Sequence, residues 1–451
     1  MAETIAHDRM DGQPGQAGAA AIPTRKALMA GFASTFGWAL DLFDLFILLY
    51  VAPILGRLFF PSDRPTLSLA AVYASFAVAL LVRPLGSAIF GAYADKHGRK
   101  GALMISMVGV GLSTATFGLL PTIHQAGVIA PIMLLALRVV QGVFVGGIVA
   151  STHTIGTESI APRHRGLMSG LVGSGGAGMG ALLASSVYFV LSQIYPGDRF
   201  DEVGWRVMFF SGLVSTVFGL VMYRVLDETP AFKQMKAARE RSASPADSLS
   251  PLRQLFGSQY RHVLLINLLI TFGGGATYYI TAGYLPTLLK MVTGVAHGDA
   301  SLILMICSVG TIVGALLFGA LSDLLGRKRT FYILGILSMA VLPYLFVAIA
   351  RPAGVGAVTL MAGGISLLGG AIIAPVLIFL NERFPTPLRA SGTGLSWNIG
   401  FALGGLMPTV VSLLSKTPQD IPQVLAFTAV ALAVVYLIGA KVVPETQNKF
   451  D

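Results

Sequence analysis

Gly91-Ala92-Tyr93-Ala94-Asp95-Lys96-His97-Gly98-Arg99-Lys100 recurs further along the chain as Gly319-Ala320-Leu321-Ser322-Asp323-Leu324-Leu325-Gly326-Arg327-Lys328. Two more pairs keep the same order. Glu158, followed by Arg163, Arg165 and Gly166, is echoed by Glu382, followed by Arg389 and Gly392. Asp227-Glu228-Thr229-Pro230 is echoed by Pro444-Glu445-Thr446. Coincidence is a poor explanation for three ordered pairs, so the chain reads as an internal duplication with an offset of about 220 residues.

Lipid is the solvent for most of this chain. Of 451 residues, 54% are apolar, 12% are charged and 53 are glycine, more apolar surface than a water-soluble domain of this size hides. Backbone groups in hydrocarbon must bond within their own segment, so each long apolar run reads as a helix of about 20 residues. Such runs lie near 28–56, 66–92, 101–120, 129–157, 165–194, 205–226, 260–290, 299–324, 329–350, 353–381, 389–415 and 421–443, about twelve helices. The net charge of +10 is no nucleic-acid footprint, because its bases fall in short segments between these runs.

Those bases crowd alternate loops: Lys96, Arg99 and Lys100; Arg163 and Arg165; Lys233, Lys236, Arg239 and Arg241; Arg327, Lys328 and Arg329. These loops are predicted to be cytoplasmic, with both termini inside. A charged, Ser/Pro-rich linker at 227–258 separates a first half, 28–226, from a second, 259–443, with tails at 1–27 and 444–451. The first tail reads as disordered and lacks the basic start and cleavage site of a signal peptide. The single cysteine, Cys307, sits in an apolar run as a packing residue, and no intramolecular disulfide can form.

The predicted fold class is therefore all-α: a membrane protein of two six-helix halves related by pseudo-two-fold symmetry, a duplication typical of secondary transporters. On its twice-repeated G-x-x-x-D-x-x-G-R-K loop the chain resembles the major facilitator superfamily, from about Ala27 to Glu445. Arg138-Val139-Val140-Gln141-Gly142 is similar to that family's R-x-x-Q-G motif. Arg83-Pro84-Leu85-Gly86, Gly204-Trp205-Arg206 and Glu228-Thr229-Pro230-Ala231-Phe232 resemble the metabolite:proton symporters. Leu40-Asp41-Leu42-Phe43-Asp44 looks more like the sialate and lactate symporters, with some likeness to aromatic acid:proton symporters.

The resemblance implies a small organic anion moving with protons across a bacterial inner membrane by alternating access. It implies a monomer in the bilayer, with no nucleic acid, no metal and no cofactor beyond the coupling proton. Two departures stand out. Ile148 follows Gly146 and Gly147, where many metabolite:proton symporters carry an acid. Thr271-Phe272-Gly273-Gly274-Gly275 replaces the paired glutamines of sugar porters, which argues against hexoses. A proton-driven efflux or exchange carrier for amphipathic compounds, or a sugar or polyol symporter, is the alternative. Enzyme chemistry has no support, since no nucleophile, base and orienting acid stand at recognisable spacing and no metal ligands cluster.

Asp41 and Asp44 are the acids predicted deep in the membrane, on one face of the first helix. Two ionised carboxylates so placed repel, which suits the pair to binding a proton. Arg138 is read as the one strong base at depth, and an Asp44–Arg138 ion pair is expected. Protonation of Asp44 would then free Arg138 to clamp a substrate carboxylate. A permanent structural pair, or Asp41 as the carrier, stays open.

Gly91, Asp95, Gly98, Arg99, Glu158 and Arg165, with Asp323, Gly326, Arg327, Glu382 and Arg389, are expected to hold a cytoplasmic gate, since the family resemblance implies that Asp95 and Asp323 face helix N-termini of the opposite half. Positive-inside bias alone also places bases there. Arg138, Gln141, Asn267, Thr271, Tyr278, Tyr279, Trp397 and Asn398 are candidate substrate contacts. Packing aromatics and interhelical amide hydrogen bonds are the bland readings of the same residues.

Overall fold

The computed structural model describes residues 24–97, 99–158, 162–225, 255–351 and 354–447; side chains at 24–34, 91, 92, 94–100, 149–162, 222, 225, 386, 387 and 390 lie outside the description. Among the described residues every regular element is helical. Eleven segments are long and apolar enough to cross a membrane, and Gly101–Phe117 is a shorter apolar helix, which together match the predicted runs. The first-half helices are α1 (Thr24–Phe59), α2 (Pro65–His97), α3 (Arg99–Phe117), α4 (Ile129–Glu158), α5 (Arg165–Gly170 and Gly176–Ile194) and α6 (Trp205–Phe210 and Leu213–Val225). The second-half helices are α7 (Ser258–Tyr278, with Leu285–Leu288), α8 (His297–Leu325), α9 (Arg327–Ala348), α10 (Val355–Ile373 and Val376–Asn381), α11 (Thr386–Gly404 and Met407–Leu414) and α12 (Ile421–Val442).

Several crossings are interrupted. π-Helical turns at Leu171–Gly175 in α5 and Tyr279–Gly283 in α7 insert an extra residue into the helical repeat beside the centre of the bundle. Pro375 begins the second piece of α10, where its ring and missing N–H break the hydrogen-bond ladder. Pro84, by contrast, lies inside α2, which continues to His97.

Glycine sets two of the closest packings. Between α2 and α4, a Cβ on Gly142 would strike the carbonyl of Ala79, and one on Gly146 the carbonyl of Arg83. The backbones therefore meet, and Arg83 is carried up to α4. Between α5 and α8, across the two halves, Cβ atoms on Gly170 and Gly319 would strike Ala315 and Gly166. The small residues of α5 divide between two neighbours: Gly166 and Gly170 face α8, while Gly176 and Gly180 face Trp38 and Ala39 of α1. The halves also meet where α2 packs on α11. The 227–254 part of the linker, the first tail through residue 23 and residues 448–451 lie outside the described residues.

Candidate functional site

Burying an ionisable side chain in a membrane bundle is costly, so each one found there needs a partner or a task. Asp41 and Asp44 on α1 are 2% and 1% exposed. Arg83, from α2, places Nη1 3.9 Å from Asp41 Oδ2. Arg138 on α4 donates from Nη1 to Gln141 Oε1 at 2.6 Å, and Gln141 Nε2 donates to Thr114 Oγ1 at 2.7 Å. The Arg138 guanidinium also lies over the Phe117 ring, 4.2 Å from its centroid. Asp41, Asp44, Arg83, Arg138 and Gln141 line one cavity of about 20 Å³, walled by Leu45, Phe76, Leu80 and Val145.

This cluster is poorly satisfied. Among the described residues, neither oxygen of Asp41 or Asp44, nor Nε of Arg83, nor Nε and Nη2 of Arg138 has a hydrogen-bond partner. Ser215 stands beside Asp44 without a well-formed hydrogen bond to it. Buried polar groups are normally paired, so so many unmet ones together mark a place where protons or a ligand complete the bonding.

Two expectations are corrected here. No Asp44–Arg138 ion pair forms among the described residues: Arg138 is taken up by Gln141 and Phe117, and the carboxylate that finds a guanidinium is Asp41. Nor is Arg138 the one strong base at depth. Arg83 is 8% exposed and lies inside the same continuous helix as the apolar run before it. In the sequence Arg83 appears only within the Arg83-Pro84-Leu85-Gly86 motif, and a charge inside the Pro65–Phe90 span is the signal that marks its depth.

A second cavity, also about 20 Å³, shares Arg83 and Leu80 with the first and is lined by Trp38, Tyr278, Tyr279, Trp397, Asn398 and Phe401. Trp397 and Phe401 stack at 4.1 Å, Trp38 meets Trp397 edge-on at 6.3 Å, and Tyr279 meets Phe401 at 80°. Tyr278, Tyr279, Trp397 and Asn398 are thus brought together, with Trp38 and Phe401 missed by sequence reasoning. Asn267 and Thr271 line neither cavity. Asn267 donates to Ser396 and accepts from Arg383 Nε, and the Thr271 hydroxyl donates back to the Asn267 carbonyl. Both serve interhelical and local bonding, because an amide or hydroxyl in hydrocarbon takes the nearest partner.

At the loop end that carries the repeated motif, the second-half copy forms a dense network. Asp323 accepts from the backbone N–H groups of Gly166 and Leu167 at 2.7 and 2.9 Å, so a second-half carboxylate holds the start of α5 in the first half. Arg327 donates to Asp323 at 2.9 Å and grips Glu382 with Nη2 and Nε at 3.0 and 3.2 Å. Thr446 donates its hydroxyl proton to Glu382 at 2.7 Å. Gly326 has φ +91°, a turn that favours glycine, and opens α9, whose first N–H groups at Arg327 and Lys328 donate to Glu445. Burial pushes the Glu445 carboxyl up, but these backbone donors outweigh it and hold it below its ordinary 4.5. Arg389 is buried and donates to the Asn381 carbonyl, while Arg165 opens the helix that Asp323 holds. Gly91, Asp95, Gly98, Arg99 and Glu158 lie outside the residues whose side chains are described.

At the opposite end, Asp201 of the first half stands 3.2 Å from His297 Nε2 of the second and is held by Arg57. Tyr73 of α2 shares a 2.8 Å hydrogen bond with Thr287 and stacks on Tyr284. The halves are therefore tied together at both ends, with the two small cavities between.

The model of the Major Facilitator Superfamily matches residues 27–409 and 268–449. The chain is 30% identical to the glycine betaine/proline/ectoine/pipecolic acid transporter OusA of Dickeya dadantii over 94% of this chain and 84% of that protein. It is 31% identical, with the same coverage, to the proline/betaine transporter of Salmonella typhimurium. Against the inner membrane metabolite transport protein YhjE of Escherichia coli it is 29% identical over 92% of this chain and 94% of that one. In fold it is similar to the xylose transporter XylE of E. coli, with TM-score 0.69 and 19% identity over 94% of this chain and 99% of that one. These findings overturn the expected organic anion substrate, since relatives matched over most of the chain are named for proline and betaine. In the site, the expected anion clamp, Arg138, gives Nη1 to Gln141 and lies over the Phe117 ring, away from any described carboxylate. The chain is a multi-pass transporter, not an enzyme, and belongs to the Major Facilitator Superfamily.

Proposed function

We propose that this protein is a proton-coupled importer of small zwitterions of the proline and betaine kind, working in a bacterial inner membrane by rocking of its halves around Arg83. The observation that carries the reading is the loose Asp41–Arg83 pair: 3.9 Å apart, buried, and set between two cavities that share Arg83. A proton on Asp41 removes its charge and frees the guanidinium, whose planar fork suits a substrate carboxylate. Loss of that proton on the cytoplasmic side lets Asp41 reclaim Arg83 and expels the carboxylate. Proton and solute are thereby linked through one shared partner.

Charge bookkeeping distinguishes this from the discarded anion. Asp41, Asp44, Arg83 and Arg138 sum to zero when all are ionised, so a zwitterion entering with one proton carries one positive charge across. An anion with one proton would carry none. The names of the relatives supply the solute class, and their proline and betaine substrates both pair a carboxylate with an onium group.

Uptake into proteoliposomes under an inwardly directed proton gradient tests the proposal. Labelled proline and glycine betaine accumulate with an inward current, while lactate and xylose do not. Accumulation of lactate or xylose in their place, or zwitterion uptake indifferent to the gradient, overturns it.

A further inference from the structure

Arg83 accounts for one end of a zwitterion; the other end meets aromatic rings. The second cavity that Arg83 lines is bounded by Trp38 from α1, Tyr278 and Tyr279 from α7, and Trp397 and Phe401 from α11. Trp397 and Phe401 lie nearly parallel, while Trp38 stands at 75° to Trp397 and Tyr279 at 80° to Phe401, so the rings form a stacked wall with two corners. They are held there. Trp38 Nε1 donates to the Gly173 carbonyl at 2.9 Å, and Tyr279 packs edge-on against Phe76 at 5.4 Å.

Among the described residues, no Asp or Glu lines this cavity. A cation seated there is attracted by ring faces, not by a carboxylate, and such attraction strengthens when water is excluded. Side-chain acceptors for an N–H donor are few: the Tyr278 hydroxyl, which is buried with no hydrogen-bond partner among the described residues, and Asn398. A primary or secondary ammonium would leave N–H groups unmet in such a box, at the cost of losing their water. A fully methylated nitrogen has no N–H to satisfy and presents only methyl groups, over which its charge is spread. Trp38 belongs to the first half and Trp397 to the second, so the box spans the two halves.

We propose that these rings form a cation–π box for the methylated ammonium end of the substrate, so that recognition ranks solutes by N-methylation. This rests on the zwitterion reading above and adds to it which pole selects.

The test is competition with labelled proline uptake in proteoliposomes holding the full-length protein, using glycine, sarcosine, dimethylglycine and glycine betaine. Inhibition strengthens along the series, with about tenfold or more between sarcosine and glycine betaine. Trp397→Leu flattens the series, each inhibition being read relative to the proline uptake that variant retains, and Trp397→Phe, which keeps a π face, preserves most of the slope. A flat series in the unaltered protein, or a steep one untouched by both Trp397→Leu and Trp38→Leu, overturns the box and leaves the zwitterion reading standing. Should Trp397→Leu fail to fold, the series in the unaltered protein still decides. Absence of proline uptake itself sinks the parent reading, and the box with it.

Discussion

The cluster around Arg327 and the cluster around Arg83 use the same chemistry to opposite ends. Both bury arginine against carboxylates. Arg327 is 1% exposed and spends its fork on Asp323, Glu382 and Ser322, while Glu382 also accepts from Thr446. Among the described residues, Arg83 has one loose carboxylate neighbour at 3.9 Å, and neither oxygen of that carboxylate has a hydrogen bond. A network whose donors and acceptors are all met locks two elements together. One whose members are half met can exchange partners at little cost, as a carrier must, and the difference separates latch from site.

The largest effect that sharpens this contrast is expected at the latch. Arg327→Gln strands Glu382 and Asp323, and breaking a buried pair from one side costs about 3–5 kcal/mol. The thermal midpoint of the detergent-solubilised protein should fall sharply, whereas Arg83→Gln should lower it far less. Equal losses would erase the distinction. Next comes transport: Arg83→Lys keeps the charge but loses the fork, and uptake should drop about 30-fold or more, since a charge-assisted bidentate bond contributes roughly 2 kcal/mol or above. Asp323→Asn, which keeps shape but loses charge at the start of α5, should weaken the closed end by about 1 kcal/mol. Faster labelling of a cysteine placed behind that end would register it.

The smallest effect is at Glu445. Its folded-state carboxyl is held below the ordinary 4.5, so its stabilising contribution is full above that value and fades as pH falls through the lower folded value. Glu445→Gln should cost a few tenths of a kcal/mol at neutral pH, and variant and parent should converge in acid. A difference that widens on acidification would contradict the assigned sign.

Much of the fold was legible because lipid enforces it. Long apolar runs, basic loops and the duplicated Gly-Asp-Gly-Arg-Lys motif each follow from the cost of exposing backbone or charge to hydrocarbon. Asp41, Asp44 and Arg138 stood out for the same reason. Their pairing did not, because spacing along one helix carries no information about which guanidinium a neighbouring helix brings closest. Arg83 decides that, delivered to the bundle centre by the glycines that let α2 and α4 touch. Trp38 and Phe401 were hidden among many packing aromatics, and only the close meeting of α1, α7 and α11 sets them around one space. Asn267 and Thr271 looked like ligand contacts by polarity alone, yet found partners in their own half.

Asp41→Asn puts the partner exchange to its most direct test, with solute counterflow and proton-driven accumulation measured side by side in the same vesicles. An amide cannot take up or release the proton, and it leaves Arg83 permanently available. Counterflow should therefore persist near the parental rate while accumulation and the accompanying proton uptake vanish. Asp41→Asn protein that still concentrates solute against its gradient, or an Asp44→Asn protein that alone shows this split, would contradict the account.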